Sequence, residues 1–260
     1  MRQDARLTGR ELAARAGWRP PKVSKLEHGQ QNASEEDIRT WCQVCGARDQ
    51  IPELIATVRA IEAQYMEWRR QMRGGQRRVQ SVLRAEDLST RLYRIFEPFH
   101  IPGFLQTRDY TRVIMARSAH FYEAPNDLEA AVAARLGRQT ILRMGDRRFH
   151  IVVAEQALYT QVGGPEVMRG QLAHLLDEMA ALPRLRLGVV PRAADYELGP
   201  HAGYWIFDAR LVMTETVTAV LNVTQPREVA MYERHFDGIA GLAVYGQAAA
   251  ARITAASEAL

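Results

Sequence analysis

The apolar positions recur at three- and four-residue steps through the first third of the chain, the spacing that puts one face of a helix into a core. Thr8 is placed to cap a first helix from about Gly9 to Ala16, with Glu11 as the reciprocal partner of a capping box. Leu12, Ala13 and Ala16 then share one face, and Ala13 is small where a second helix must cross closely. Gly17 can take the left-handed conformation that stops this helix. Pro20 fits the first position of a second helix, whose Val23 and Leu26 point inward. Pro21, Lys22, Lys25 and His28 fall on its remaining faces. The run Ser34-Glu35-Glu36-Asp37 introduces a further capped helix reaching about Cys45. A longer helix is predicted from about Ile51 to Met72, with Leu54, Val58, Ile61, Tyr65 and Trp68 as a stripe for packing within the chain or against a second subunit.

Beyond Gly74-Gly75, a natural hinge, the pattern mixes periods. Strands are predicted over Tyr93 to Phe96, Phe149 to Ala154 and Leu185 to Val190, with two or three more between Tyr204 and Val223. Between and after them lie helices: one capped by Thr107 through about Arg117, one capped by Asn126 through Met144, then Pro165 to Leu182, Glu228 to Ala243 and Tyr245 to Ser257. The fold class is therefore α+β overall: an N-terminal all-α bundle followed by a mixed α/β C-terminal domain. The boundaries read as 1–48, a helical linker over 49–75, and 76–260.

Two short helices joined at a glycine turn, the second carrying outward cations, describe a helix-turn-helix whose second helix enters a DNA major groove. The candidate DNA-contacting residues are Arg19, Pro21, Lys22, Ser24, Lys25 and His28. Lys22 and Lys25 are the only lysines in the chain. Either can reach a guanine edge or a phosphate. Two features weaken the design: Arg19 stands where a capping Ser or Thr is usual, and Pro20 and Pro21 remove two N–H groups from a helix end that would otherwise hold a phosphate. An ordinary helical hairpin with solvated lysines is the plainer alternative.

Charge supports the DNA reading. Residues 1–84 carry 16 basic and 10 acidic side chains, while residues 85–260 carry 18 and 20. The basic front fits double-stranded DNA as partner, and the near-neutral remainder fits regulation. The arginine-rich cluster Arg69, Arg70, Arg73, Arg77 and Arg78 either touches phosphates or stays solvated. The N-terminus has no apolar leader and no segment suits a membrane span, so a cytoplasmic protein is expected. Cys42 and Cys45 echo a redox pair but sit within a helix with no further cysteine to complete a zinc site; two packed thiols are expected, and no metal.

The ending Val23-Ser24-Lys25-Leu26-Glu27-His28-Gly29 resembles the Cro/repressor-type (XRE-like) helix-turn-helix. The segment from Glu97-Pro98 through Ile101-Pro102-Gly103-Phe104-Leu105-Gln106-Thr107 to Tyr110 is similar to the hallmark of a large actinobacterial regulator family with a C-terminal DUF5753-like domain. Arg135-x-x-Arg138-Gln139, Glu155-Gln156-Ala157-Leu158 and Gln171-Leu172-x-x-Leu175 follow in that family's order. The resemblance implies a DNA-binding, antitoxin-like regulator with a small partner protein encoded nearby. It also implies a complete helix before the motif, of which Met1 to Ala5 would be only the tail. Lacking it, the chain would expose apolar surface behind Leu12, Val23 and Leu26.

No phosphate-cradling glycine loop, nucleophile elbow or paired-histidine zinc motif occurs, so neither catalysis nor a cofactor is expected. His174 and His235 read as packed or hydrogen-bonded side chains. In the C-terminal domain Arg135, Arg138, Glu155 and Tyr110 are the candidates for a ligand or partner site. Arg135 and Arg138 share a helix face and Glu155 ends a strand, an anchor for an anion or for a partner's backbone. The plainer reading is an internal salt bridge from helix to strand. Tyr93, Phe96, Phe99, Phe104 and Tyr110 would line a pocket or, more simply, form core. The expected function is a sequence-specific, homodimeric DNA-binding transcriptional regulator whose C-terminal domain senses a ligand or docks a small partner. The alternative is a protein-interaction module with DNA binding secondary.

Overall fold

A computed structural model of the chain describes residues 1–55, 58, 65–199 and 202–260. They form two compact units, Met1–Ala63 and Gln64–Leu260.

In the first unit α1 spans Gly9–Ala16, α2 Pro20–Glu27 and α3 Glu35–Cys45, with residues 51–55 helical beyond them. Both capping boxes form: Thr8 accepts from Glu11 N–H and Ser34 from Asp37 N–H, while each acidic side chain reaches back to the cap's own N–H. Gly17 ends α1 at φ 68°, in the left-handed region. A Cβ there would meet no neighbour, so the glycine serves backbone conformation and not space. Leu12, Ala13 and Val23 make a small core with Trp18, Trp41 and Val44 against them. Leu12 and Val23 are thus covered, contrary to the exposure anticipated for a chain without a preceding helix; Leu26 is half-buried and lines an apolar cavity of about 210 Å3 with Met1, Ile38, Trp41, Cys42 and Leu54. Cys42 is buried, Cys45 is half-buried, and both thiols are free.

The second unit is built on an eight-stranded sheet in the order β1-β7-β6-β5-β2-β3-β4-β8. Its strands are β1 Tyr65–Glu67, β2 Leu92–Glu97, β3 Arg148–Ala154, β4 Leu185–Val190, β5 Tyr204–Phe207, β6 Leu211–Glu215, β7 Ala219–Val223 and β8 Val244–Tyr245. The β2, β3 and β4 strands are parallel, and every other pairing is antiparallel. Its helices are α4 Trp68–Met72, α5 Gln76–Ser89, α6 Arg108–Phe121, α7 Leu128–Gln139, α8 Glu155–Tyr159, α9 Pro165–Ala181, α10 Pro226–Leu242 and α11 Gly246–Glu258. Alternation along β2 sorts the sheet's two faces. Tyr93 and Ile95 join a large core with Phe104, Tyr110, Leu172 of α9 and Ile253 of α11, whereas Phe96 joins a smaller one with Phe236 and Ile239 of α10. Helices cover both faces, as parallel strands require.

Four expectations are corrected. The helix foreseen from Ile51 to Met72 does not run through: Tyr65–Glu67 pairs with β7, and Trp68 N–H donates to Thr218 O at 2.9 Å. An unpaired β7 edge offers ladder hydrogen bonds that the apolar stripe does not reveal. Val58 is helical, and Ile61 lies outside the described residues. The boundary falls at Ala63/Gln64, so the Gly74-Gly75 segment lies inside the second unit and is not a hinge between units. Gly75 is the N-cap of α5 at φ 84°, and Asp127 supplies the missing cap: its carboxylate accepts from Gln76 N–H at 3.2 Å and Arg77 N–H at 2.8 Å. A Cβ on Gly75 would sit 2.5 Å from that carboxylate. Asp127 also takes the N-cap position of α7 assigned above to Asn126, and α7 stops at Gln139, giving way to a 3-10 turn over Thr140–Arg143. Phe99 is exposed, unlike the other four aromatics grouped with it. None of the described helices is long and apolar enough to cross a membrane.

Candidate functional site

At 3.6 residues per turn, Pro21, Ser24, Lys25 and His28 fall on one stripe of α2, opposite the buried Val23. All four are exposed, and Arg19 stands exposed at the N-cap without a side-chain hydrogen bond. Among the described residues Lys25 has no ion-pair partner. His28 Nδ1 lies 2.7 Å from Ser24 O. A carbonyl only accepts, so Nδ1 carries a proton and the neutral ring keeps Nε2 as an acceptor.

Lys22 departs from this stripe. Its ammonium lies 2.5 Å from Asp37 Oδ1 and 4.4 Å from the centroid of the Trp18 ring. The expected outward lysine is instead a brace between α2 and α3, because its position on the helix is flanking and a carboxylate waits there. Asp37 is only 10% exposed in its side chain. Burial raises its pKa, but hydrogen bonds from Lys22 and from the Ser34 backbone and hydroxyl outweigh that, and the net shift is downward.

In the second unit the four candidate residues separate. Arg138 is buried and fully engaged: its Nε and Nη2 donate to Asp87 at 2.6 and 3.3 Å, and its Nη1 to Gln80 Oε1 at 2.7 Å. The Tyr110 hydroxyl accepts from Ile101 N–H at 3.2 Å, and burial first of all pushes its pKa up to about 12. Glu155 accepts from Arg192 N–H at 2.8 Å and from Arg252 at 2.9 Å. The helix-to-strand bridge foreseen between Arg135 or Arg138 and Glu155 is therefore absent; each group pairs elsewhere, with Asp87 on α5 and Arg252 on α11, since sequence spacing says nothing about which helix lies alongside.

These side chains hold one loop. Gln106 donates to Ile101 O at 2.7 Å and accepts from Thr111 at 3.2 Å. Gln139 donates to Gly103 O and Gln106 O, and Gln171 donates to Leu105 O while accepting from Thr107 N–H. The residues quoted as scattered motifs thus converge on 101–107 and satisfy its backbone from three helices.

Only Arg135 keeps an unbonded end. Nη1 donates to Gln106 Oε1 at 3.2 Å and Nε reaches Gln80 at 3.5 Å, leaving Nη2 without a hydrogen bond among the described residues. Glu97, which sequence reasoning passed over although it opens the quoted motif, ends β2 nearby; Trp205 Nε1 donates to its Oε1 at 2.7 Å. Burial raises Glu97 to about 8 and depresses Arg135 to about 10. Asp87, Gln80 and Asp37 were also missed, and no local signal marks them. His235 contacts the Tyr204 hydroxyl at 2.8 Å and Leu198 O at 3.1 Å.

A family model described as a domain of unknown function, DUF5753, matches residues 79–255. The chain belongs to the DUF5753 family. A second model, described as a helix-turn-helix domain, matches residues 1–54. The DUF5753 match takes in the caged loop, Arg135, Arg138 and Glu155, and the helix-turn-helix match takes in the whole α2 stripe. No curated protein matches the chain. Among solved structures, the archaeal chromatin protein TrmBL2, described as showing a novel mode of DNA binding, aligns over 92% of this chain and 88% of its own at 13% identity and a TM-score of 0.35, too low to argue from.

Proposed function

We propose that this DUF5753 protein is a sequence-specific DNA-binding transcriptional regulator of the Cro/repressor type found in the actinobacterial family it resembles. The observation that carries the reading is the α2 stripe: Pro21, Ser24, Lys25 and His28 lie together and exposed on the second helix of a helix-turn-helix domain, with Arg19 at its start. Lys25 contributes a cation to phosphate or guanine, while Ser24 and His28 Nε2 can read base edges. The protein acts in the cytoplasm as a homodimer on paired half-sites, and the second unit is a regulatory domain without catalysis.

Selection of bound duplexes from a random pool, followed by gel-shift titration at two salt concentrations, tests this. A recovered consensus with half-site symmetry is expected. Binding of equal strength to all duplexes would overturn it. The second reading, docking of a small partner protein that strengthens DNA binding, draws on the family resemblance; co-purification of a neighbouring gene product with residues 64–260, the second compact unit, tests it.

A further inference from the structure

The charged groups at the C-terminal end of β2 are held apart and not paired. No carboxylate lies within 4.0 Å of the Arg135 guanidinium among the described residues, yet its charge interacts with those of Glu97 and Glu215. Glu97 Oε2 makes no hydrogen bond among the described residues, and the absence of a Cβ on Gly203 leaves it room; a Cβ there would come within 2.6 Å. Glu215, at the end of β6, is exposed and makes no side-chain hydrogen bond among the described residues. Burial nonetheless dominates the shifts of Glu97, Arg135 and Glu215. Groups that solvent reaches but protein surrounds line a recess. Strand alternation places Glu97 on the same sheet face as Ile95, and Glu215 on that of Met213, which pairs with Trp205. The Trp205 ring, packed 4.9 Å from Phe104, provides the adjoining apolar surface. The ends of parallel strands are where open α/β sheets take ligands.

Separated opposite charges in a poorly solvated recess are costly unless something completes them. We propose that this recess binds a small zwitterion such as a free α-amino acid, its carboxylate on Arg135 Nη2 and its ammonium toward Glu215 and Glu97 Oε2. A phosphate group fits less well, because Arg138 is neutralised by Asp87 and two carboxyl groups would repel a doubly charged anion. A hard cation fits less well too, since two carboxyls beside a guanidinium do not supply the oxygen shell it needs. The proposal rests on the regulator reading by supplying its effector.

The test uses the full chain. Each standard L-α-amino acid is screened by thermal melting and then by titration calorimetry, beside the N-acetyl derivative and the α-amide of any that bind. At least one amino acid is expected to raise the melting temperature, while its N-acetyl and amide forms, lacking one charge each, do not. Arg135→Gln and Glu215→Gln are each expected to weaken binding about tenfold or more; the Glu215 variant breaks no hydrogen bond of the fold. The inference is overturned if no amino acid binds, if the N-acetyl form binds equally, or if both variants bind as the parent does. Gel shifts on the same preparations separate the two readings: intact DNA binding without amino-acid binding sinks only the ligand, and the reverse sinks only the regulator.

Discussion

Lys22 Nζ and Asp37 Oδ1 stand 2.5 Å apart, joining the second helix of the motif to the first turn of the third. The same carboxylate completes the Ser34 capping box. One acidic group therefore fixes both a helix start and the angle at which α2 is presented.

Replacing Asp37 by Ala is expected to destabilise the N-terminal unit by about 1–2 kcal/mol, the range for a lost cap and a charge-assisted hydrogen bond. Because the Asp37 pKa is lowered in the folded state, its contribution is present above the ordinary value of 3.8 and is lost as pH falls through the folded value. Denaturant unfolding of the parent and variant between neutral and acid pH reads this: the gap should close in acid, and a constant gap counts against the pair.

Lys22→Ala and Lys25→Ala should part company. The Lys25 variant is expected to melt as the parent does, while its DNA affinity falls and the slope of log affinity against log salt shrinks by about one phosphate contact. The Lys22 variant is expected to lose stability first. Equal salt slopes for Lys25→Ala and parent would remove Lys25 from the interface.

Arg138→Ala would strand Asp87, which is fully buried. A loss of about 3–5 kcal/mol is expected, the usual result of leaving a buried charge uncompensated. The double variant Arg138→Met with Asp87→Leu should recover much of it, and urea titration of the set measures both. A single variant as stable as the parent would mean the pair is not closed in solution.

Glu97 holds its proton more tightly in the folded protein, rising from an ordinary 4.5 to about 8 chiefly through burial. Between those values the unfolded chain gives up the proton and the folded chain keeps it, so stability falls as pH rises across that window. Glu97→Gln should flatten this part of the melting-temperature profile and melt higher than the parent near pH 8. An unchanged slope would place the titrating group elsewhere.

Local chemistry was legible in the chain. Thr8, Ser34 and Thr107 cap their helices, Gly17 turns left-handed, and strand alternation in β2 and β3 matches the faces they bury. Each depends on neighbours within about one helical turn or on a strict period of two, and sequence carries both. The outward stripe of α2 was readable for the same reason, apart from Lys22, whose partner lies in another helix.

Pairing across the fold was decided elsewhere. Nothing near Tyr65 announces the β7 edge 156 residues on, which turns a predicted helix into a strand. Nothing near Arg138 announces Asp87, and the motifs around Gln106, Gln139 and Gln171 do not say that they serve one loop. Spacing along the chain specifies which side chains share a face; which other face they meet depends on how strands order and helices stack, and only the tertiary structure fixes that. The separation of Arg135 from Glu97 and Glu215, on which the ligand proposal stands, belongs wholly to that level.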